Sequence, residues 1–120
     1  MRPIIVRNSR LPALVSWFFP VAAITLWPFI FIKKGFDNER LINHESIHIR
    51  QYNELLVLGF WLMYIYDWIH GLILFGNAKE AYRAIRFEQE AYEHDEDLDY
   101  LNYRPKHKWA SYKVRNYMGW

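Results

Sequence analysis

The sequence predicts a mainly α fold with a small N-terminal β-strand or hairpin, an α+β class, in a single 120-residue domain. Three observations predict it. Apolar residues recur at helical spacing through residues 38–54 and again through 79–98. The uncharged stretch 11–32 contains Pro12, Pro20 and Pro28, which divide it into pieces too short for a helix but suited to extended chain. The length is enough to bury one core and too short for two independent ones.

Taken in order, region 11–32 follows Arg2, Arg7 and Arg10 and is long enough to resemble a signal sequence or a membrane span. No small-x-small cleavage site follows it, so no cleaved signal peptide is expected. "VAAITLWPFIFI" is rich in β-branched and aromatic residues, as a strand is, and "KKGFDN" supplies the turn after it. Two short extended pieces are therefore preferred to one membrane helix. Asp37 or Asn38 can cap the helix 38–54, with Glu39 in its first turn.

Region 55–75, "LLVLGFWLMYIYDWIHGLILF", forms an apolar helix long enough to span a bilayer, yet Gly59, Asp67, His70 and Gly71 interrupt it. Three readings stay open: a buried core helix, a membrane-associated hairpin and a simple span. A break is expected near Gly59. One unbroken helix to residue 66 would leave residue 88 short of the level of residue 48 by roughly 10 Å on the return. Residues 79–98 read as an amphipathic helix, and 99–120 as a basic, aromatic tail with no acidic residue after Asp99.

Composition narrows the chemistry. There are no cysteines, so disulfides and thiolate ligands are excluded, and any metal must be held by imidazole and carboxylate. Aromatic residues make up 19% of the chain, more than a small core needs, which suggests a membrane interface, a substrate groove or a subunit contact. A homo-oligomer is one of the outcomes this leaves open.

The stretch "NHESIHIRQ" carries His-Glu-x-x-His. On a helix, positions i and i+4 share a face, so His44 and His48 can aim their imidazoles at one ion while Glu45 stands beside them. Two neutral imidazoles leave a zinc ion charged enough to acidify a bound water, and Glu45 is placed as the general base. With five His and eight Glu in the chain, chance supplies such a match in roughly one chain in a hundred.

A third ligand is sought on helix 79–98. At 100° per residue, Ala81, Ala84, Ile85, Glu88, Ala91, Tyr92 and Asp95 form one stripe, while Glu90 and Glu93 point away from it. Glu88, an acid among apolar neighbours, needs a partner. Metal is one; a salt bridge to Arg83, Arg86 or another buried base is the plain alternative. His94 could replace Glu88 as ligand but lies off the stripe. Tyr82, Arg83, Tyr92, His94 and Tyr103 are candidates for stabilising a developing oxyanion, and Tyr92 is preferred. His70 is read as half of a satisfied pair with Asp67, and His107 as surface.

"HESIH" followed about forty residues later by "FEQEAYEHD" resembles the gluzincin zinc metallopeptidases, whose downstream helix carries a ligand Glu. The resemblance implies zinc on His44, His48 and Glu88, a minimal zincin-like helical core, and a strand over the cleft, for which "AITLWPFIFI" is the candidate. Ala91 matches that family's small residue, but Tyr92 stands where its membrane-linked members carry Asp; Asp95, one turn on, is the substitute. The chain is also similar to small bacterial proteins with an N-H-E-x-I-H-x-x-Q helix.

The expectation is a small zinc-dependent metallopeptidase or hydrolase acting on a peptide or protein substrate, cytoplasmic or associated with a membrane surface. The alternative is a non-catalytic membrane-surface or assembly protein with a structural or relic metal site. A third class, nucleic-acid binding by the tail, is disfavoured against a docked segment with a solvated basic face.

Overall fold

The computed structural model describes residues 3–12, 23–36 and 38–119. Residues 13–22 of the predicted strand region, and Asp37 among the candidate caps, lie outside them. The fold is mainly helical with a three-stranded N-terminal sheet, as predicted.

Strand β1 is Ile4–Ser9, β2 is Ala23–Leu26 and β3 is Phe29–Lys33, in the order β1-β3-β2. β1 runs parallel to β3, and β2 pairs antiparallel with it in a hairpin turning at Trp27 and Pro28. Pro28 thus sits in a turn, where its missing N–H disrupts no ladder. Among the described residues β2 is an edge strand. Alternation directs Ala23, Thr25, Ile30 and Ile32 inward and leaves Leu26, Trp27 and Phe29 exposed.

Helix α1, Glu39–Phe75, starts at Asn38, whose side chain accepts the Leu41 N–H at 2.9 Å. It is two helical halves joined at Leu56, which has φ 61° and ψ 165°. The expected break is there, three residues before Gly59. In half 39–55, Ile49 packs on the sheet with Leu41 and Ile42, while Ile47 packs on the opposite side against Ala91 and Tyr100. The turn at Leu56 brings Phe60 back onto Tyr52, with stacked rings 3.9 Å apart, and onto Phe87 at 4.6 Å. Burying those aromatic faces is what the kink accomplishes.

Gly76 ends α1 in the left-handed conformation, φ 66°, and its N–H bonds the Leu72 carbonyl at 2.9 Å. Helix α2, Ala78–Ala84, then runs back along half 57–75. Their contact is so close at Gly71 that a Cβ there would lie 2.8 Å from the Ala81 Cα.

The predicted continuous helix 79–98 is instead split. Ile85 is extended, φ −55° and ψ 131°, and helix α3 occupies Arg86–His94. Asp67 is the physical cause. Its carboxylate accepts the backbone N–H of Arg86 at 3.1 Å and the Arg86 guanidinium at 2.9 Å on each oxygen. An acid is thus set at a helix N-terminus, where free N–H groups need acceptors. Asp67 therefore pairs with Arg86 and not with His70, which rests beside Tyr66.

The basic tail docks as short helix α4, Tyr100–Tyr103, and two 3₁₀ turns, Lys108–Ser111 and Val114–Gly119. Arg104 bonds both oxygens of Glu54 at 2.9 Å and also pairs with Glu90. Glu90, predicted to point away from the stripe of Glu88, does so but is completely buried, because the tail covers it.

Candidate metal centre

The first half of α1 carries a cluster of polar residues inward. His44, Glu45, His48 and Gln51 are all buried, as are Glu88 and Asp95 from α3 and its C-terminal end. His44 Nε2 lies 3.0 Å, and His48 Nε2 3.1 Å, from the same atom, Oε1 of Glu88. The two rings are nearly perpendicular, 79°, with centroids 5.0 Å apart. The buried bases that pair with Glu88 are thus the two histidines and not an arginine: Arg86 is on Asp67, and the Arg83 guanidinium lies 3.8 Å from the Tyr92 ring centre.

The far nitrogens are fixed as well. His44 Nδ1 is 2.9 Å from Asp95 Oδ2, and His48 Nδ1 is 2.7 Å from Gln51 Oε1. The Gln51 amide nitrogen donates to the Phe87 carbonyl and to Glu90, both at 3.1 Å, which turns its oxygen toward His48. Each Nδ1 thus faces an acceptor to which it can donate, and each Nε2 is turned toward the shared Glu88 oxygen. Asp95 is itself held by Arg40 at 2.9 Å, and Asn43 donates to the backbone carbonyls of Asp95 and Asp97. Asp95 thereby makes the contact expected of it in place of Tyr92.

Electrostatics follow from this crowding of carboxylates. Burial opposes charge on His44, but hydrogen bonds to Asp95 and Glu88 and the nearby Glu45 outweigh it and raise its pKa to about 10. His48 is raised as well, against its burial, by Glu88 and Glu45. Burial would lift Glu88 and Asp95, yet the imidazoles beside them hold both below the usual carboxylate range. The cluster favours a positive charge at the Nε2 positions, supplied by protons or by a cation. Two imidazole nitrogens and one carboxylate oxygen, each braced from behind, are a donor set that fits zinc.

His44, Glu45 and His48 also offer ligand atoms within 4.8 Å of one another. Glu45 is nevertheless set apart from Glu88. Its Oε2 is 3.6 Å from His44 Nε2, outside hydrogen-bond range, and its Oε1 accepts the Thr25 hydroxyl of edge strand β2 at 3.1 Å. Both carboxylates line a cavity of about 110 Å³, with β2 and the rings of Phe60, Trp61, Tyr64 and Tyr82 completing the wall.

Tyr92, expected at the oxyanion, packs its ring edge-on against His44 at 4.5 Å, and its hydroxyl is 3.0 Å from that of Tyr82. Tyr82, not Tyr92, is the member of this pair that lines the cavity. His94 stacks on Tyr100 at 3.9 Å, away from the cluster, and Tyr103 is exposed. Sequence reasoning missed Tyr64, which donates to Glu88 Oε2 at 2.7 Å, and Thr25. Tyr64 shares a helical face with buried Phe60, Asp67 and Gly71, a signal present in the spacing. Gln51, one turn from His48, carried the same kind of signal.

No family model, curated protein or solved structure matches the chain.

Proposed function

We propose that the chain is a small zinc-dependent metallohydrolase whose substrates are peptides or proteins, with His44, His48 and Glu88 as ligands and Glu45 as general base. One observation carries this reading. Both imidazoles meet at one Glu88 oxygen, and a second carboxylate, Glu45, faces the same cavity under an edge strand. Zinc, when bound, supplies a Lewis acid that lowers the pKa of water. Glu45, oriented by Thr25, accepts the proton and returns it to the leaving amine. The edge strand β2 presents backbone groups for pairing with an extended substrate. Tyr82, with Tyr92 behind it, is placed to donate to a developing oxyanion.

Metal per chain, measured by elemental analysis on protein purified without added metal, is expected at about one zinc. His48→Ala and Glu88→Ala lower it. Glu45→Gln keeps the metal and loses peptide hydrolysis; parent protein that takes up no zinc overturns the proposal.

A second reading, a structural or relic metal site, is favoured by the depth of the cluster, in which both histidines are only 4% exposed. Such a site has no use for Glu45 as a base. A zinc-loaded parent as inert as Glu45→Gln toward peptides would establish it. Location completes the proposal: half 57–75 is apolar and long enough to cross a membrane, with only 17% of its most apolar window buried, which supports association with a membrane surface.

A further inference from the structure

The second half of α1 has two unlike sides. Phe60, Asp67 and Gly71 face the protein, whereas Leu58, Leu62, Ile65, Ile69 and Ile73 form a stripe on the opposite side, each 49–78% exposed. Between Glu54 and Lys79 the only Asp, Glu, Lys or Arg is Asp67, and it points inward to Arg86. The exposed side therefore carries no charge over about 28 Å of helix.

Leu58, Leu62, Ile65, Ile69 and Leu72 follow alternating four- and three-residue steps, the spacing of a coiled-coil seam. The positions flanking such a seam carry charges in water-exposed helix pairs. Here they are Gly59, Trp61, Tyr66, Trp68 and Ile73. The apolar band is wider than a seam and edged by aromatic rings, which suits acyl chains and headgroups better than a second helix.

Two neighbouring features extend the band. Trp27 donates its indole N–H to Asn53 at 2.9 Å, bringing the exposed hairpin tip, Leu26, Trp27 and Phe29, within one turn of Leu56 and Val57. Beside the stripe, exposed Lys113 and Arg115 line one groove with Tyr66, His70 and the mutually paired Asp67 and Arg86. Cations thus rim the apolar face on the tail side.

From this we infer that the Leu58–Ile73 face lies in the plane of an anionic phospholipid bilayer, with its apolar stripe among the acyl chains and Lys113 and Arg115 at the headgroups. A perpendicular crossing is disfavoured because α2 and α3 pack on the other side of the same helix and would carry Arg83 and Arg86 into hydrocarbon. The inference does not rest on the metal chemistry.

The test is flotation of the full chain with vesicles of phosphatidylcholine alone and of phosphatidylcholine mixed with phosphatidylglycerol, alongside sizing in buffer. The parent is expected to float with the anionic vesicles and to be released by salt. Leu62→Glu with Ile69→Glu should lower partitioning about tenfold or more with unchanged circular dichroism. Lys113→Ala with Arg115→Ala leaves the stripe intact and should lose about fivefold per cation on anionic vesicles only. A folded parent that stays in buffer with both vesicle types overturns the inference. So does a parent dimer that the glutamate pair turns into monomers while flotation is unaffected, which makes the face a self-interface.

Discussion

The two halves of α1 differ in what they bury and what they present. Half 39–55 buries Asn43, His44, Glu45, His48 and Gln51, whereas half 57–75 exposes Leu58, Leu62, Ile65, Ile69 and Ile73. The first half thus hides a polar cluster beside Ile47, Ile49 and Tyr52 while Glu39, Arg40, Arg50 and Asn53 stay exposed, and the second half presents hydrocarbon. Buried polar groups persist only when partnered, and each in the first half is. The first half is organised by mutual partners within the chain, and the second by the inward pair Asp67–Arg86 and an outward apolar band.

The largest effect is expected from removing the charge that the two imidazoles share. Glu88→Gln in metal-free protein leaves His44 and His48 facing a neutral amide and should cost about 3–5 kcal/mol in urea unfolding. The same balance gives a pH dependence. His44 and His48 have folded pKa values raised above 6.5, so their contribution is complete below 6.5 and is lost as pH rises, for His44 through about 10. Glu88 and Asp95 are lowered, so theirs is complete above the usual carboxylate range and lost as pH falls below it. Metal-free protein should therefore melt highest near pH 5–6 and decline through the alkaline range. Zinc-loaded protein should lack most of that alkaline decline, since its ligands bind as neutral imidazoles. Identical melting profiles with and without zinc would break the account of the first half.

Asp67→Asn tests the second half at its one buried charge. It leaves Arg86 half-buried without its carboxylate and weakens the acceptor at the start of α3, so a loss of about 2–4 kcal/mol is expected by thermal melting. Because α3 carries Glu88, zinc affinity should fall as well. Asp67→Asn with parental stability would mean that the half is held by apolar contact alone.

The helix carrying His44 and His48, its Asn38 cap and the inward placing of Glu88 were legible because each is written in short-range spacing. The continuous helix 79–98 was not there to be found. The acceptor that splits it, Asp67, lies 19 residues from Arg86, and no local rule sees that pair. Glu88 nonetheless keeps its expected place relative to Ala91 and Asp95 because all three lie on the same side of the break, and Glu88 and Asp95 meet the same His44. Glu90 shows the opposite failure. Its burial depends on Arg104 and Tyr100 folding back over it, a long-range event that periodicity reports only as a side facing away from the stripe.

The break inside α1 offers the smallest and sharpest test. Leu56 has φ 61° and ψ 165°, a region that glycine enters freely and that costs other residues about 1–3 kcal/mol. Its side chain is 74% exposed, so little packing opposes replacement. Gly59, the position favoured by sequence, lies within the second helical half, and a Cβ there would meet only the Leu55 Cβ at an ordinary 3.6 Å. Leu56→Gly should therefore raise stability by up to about 1 kcal/mol, the relieved strain outweighing the extra freedom of the unfolded chain. Gly59→Ala should add about 0.5–1 kcal/mol from helix propensity. A break at Gly59 would reverse both signs, so the two melting temperatures together locate the joint between the halves.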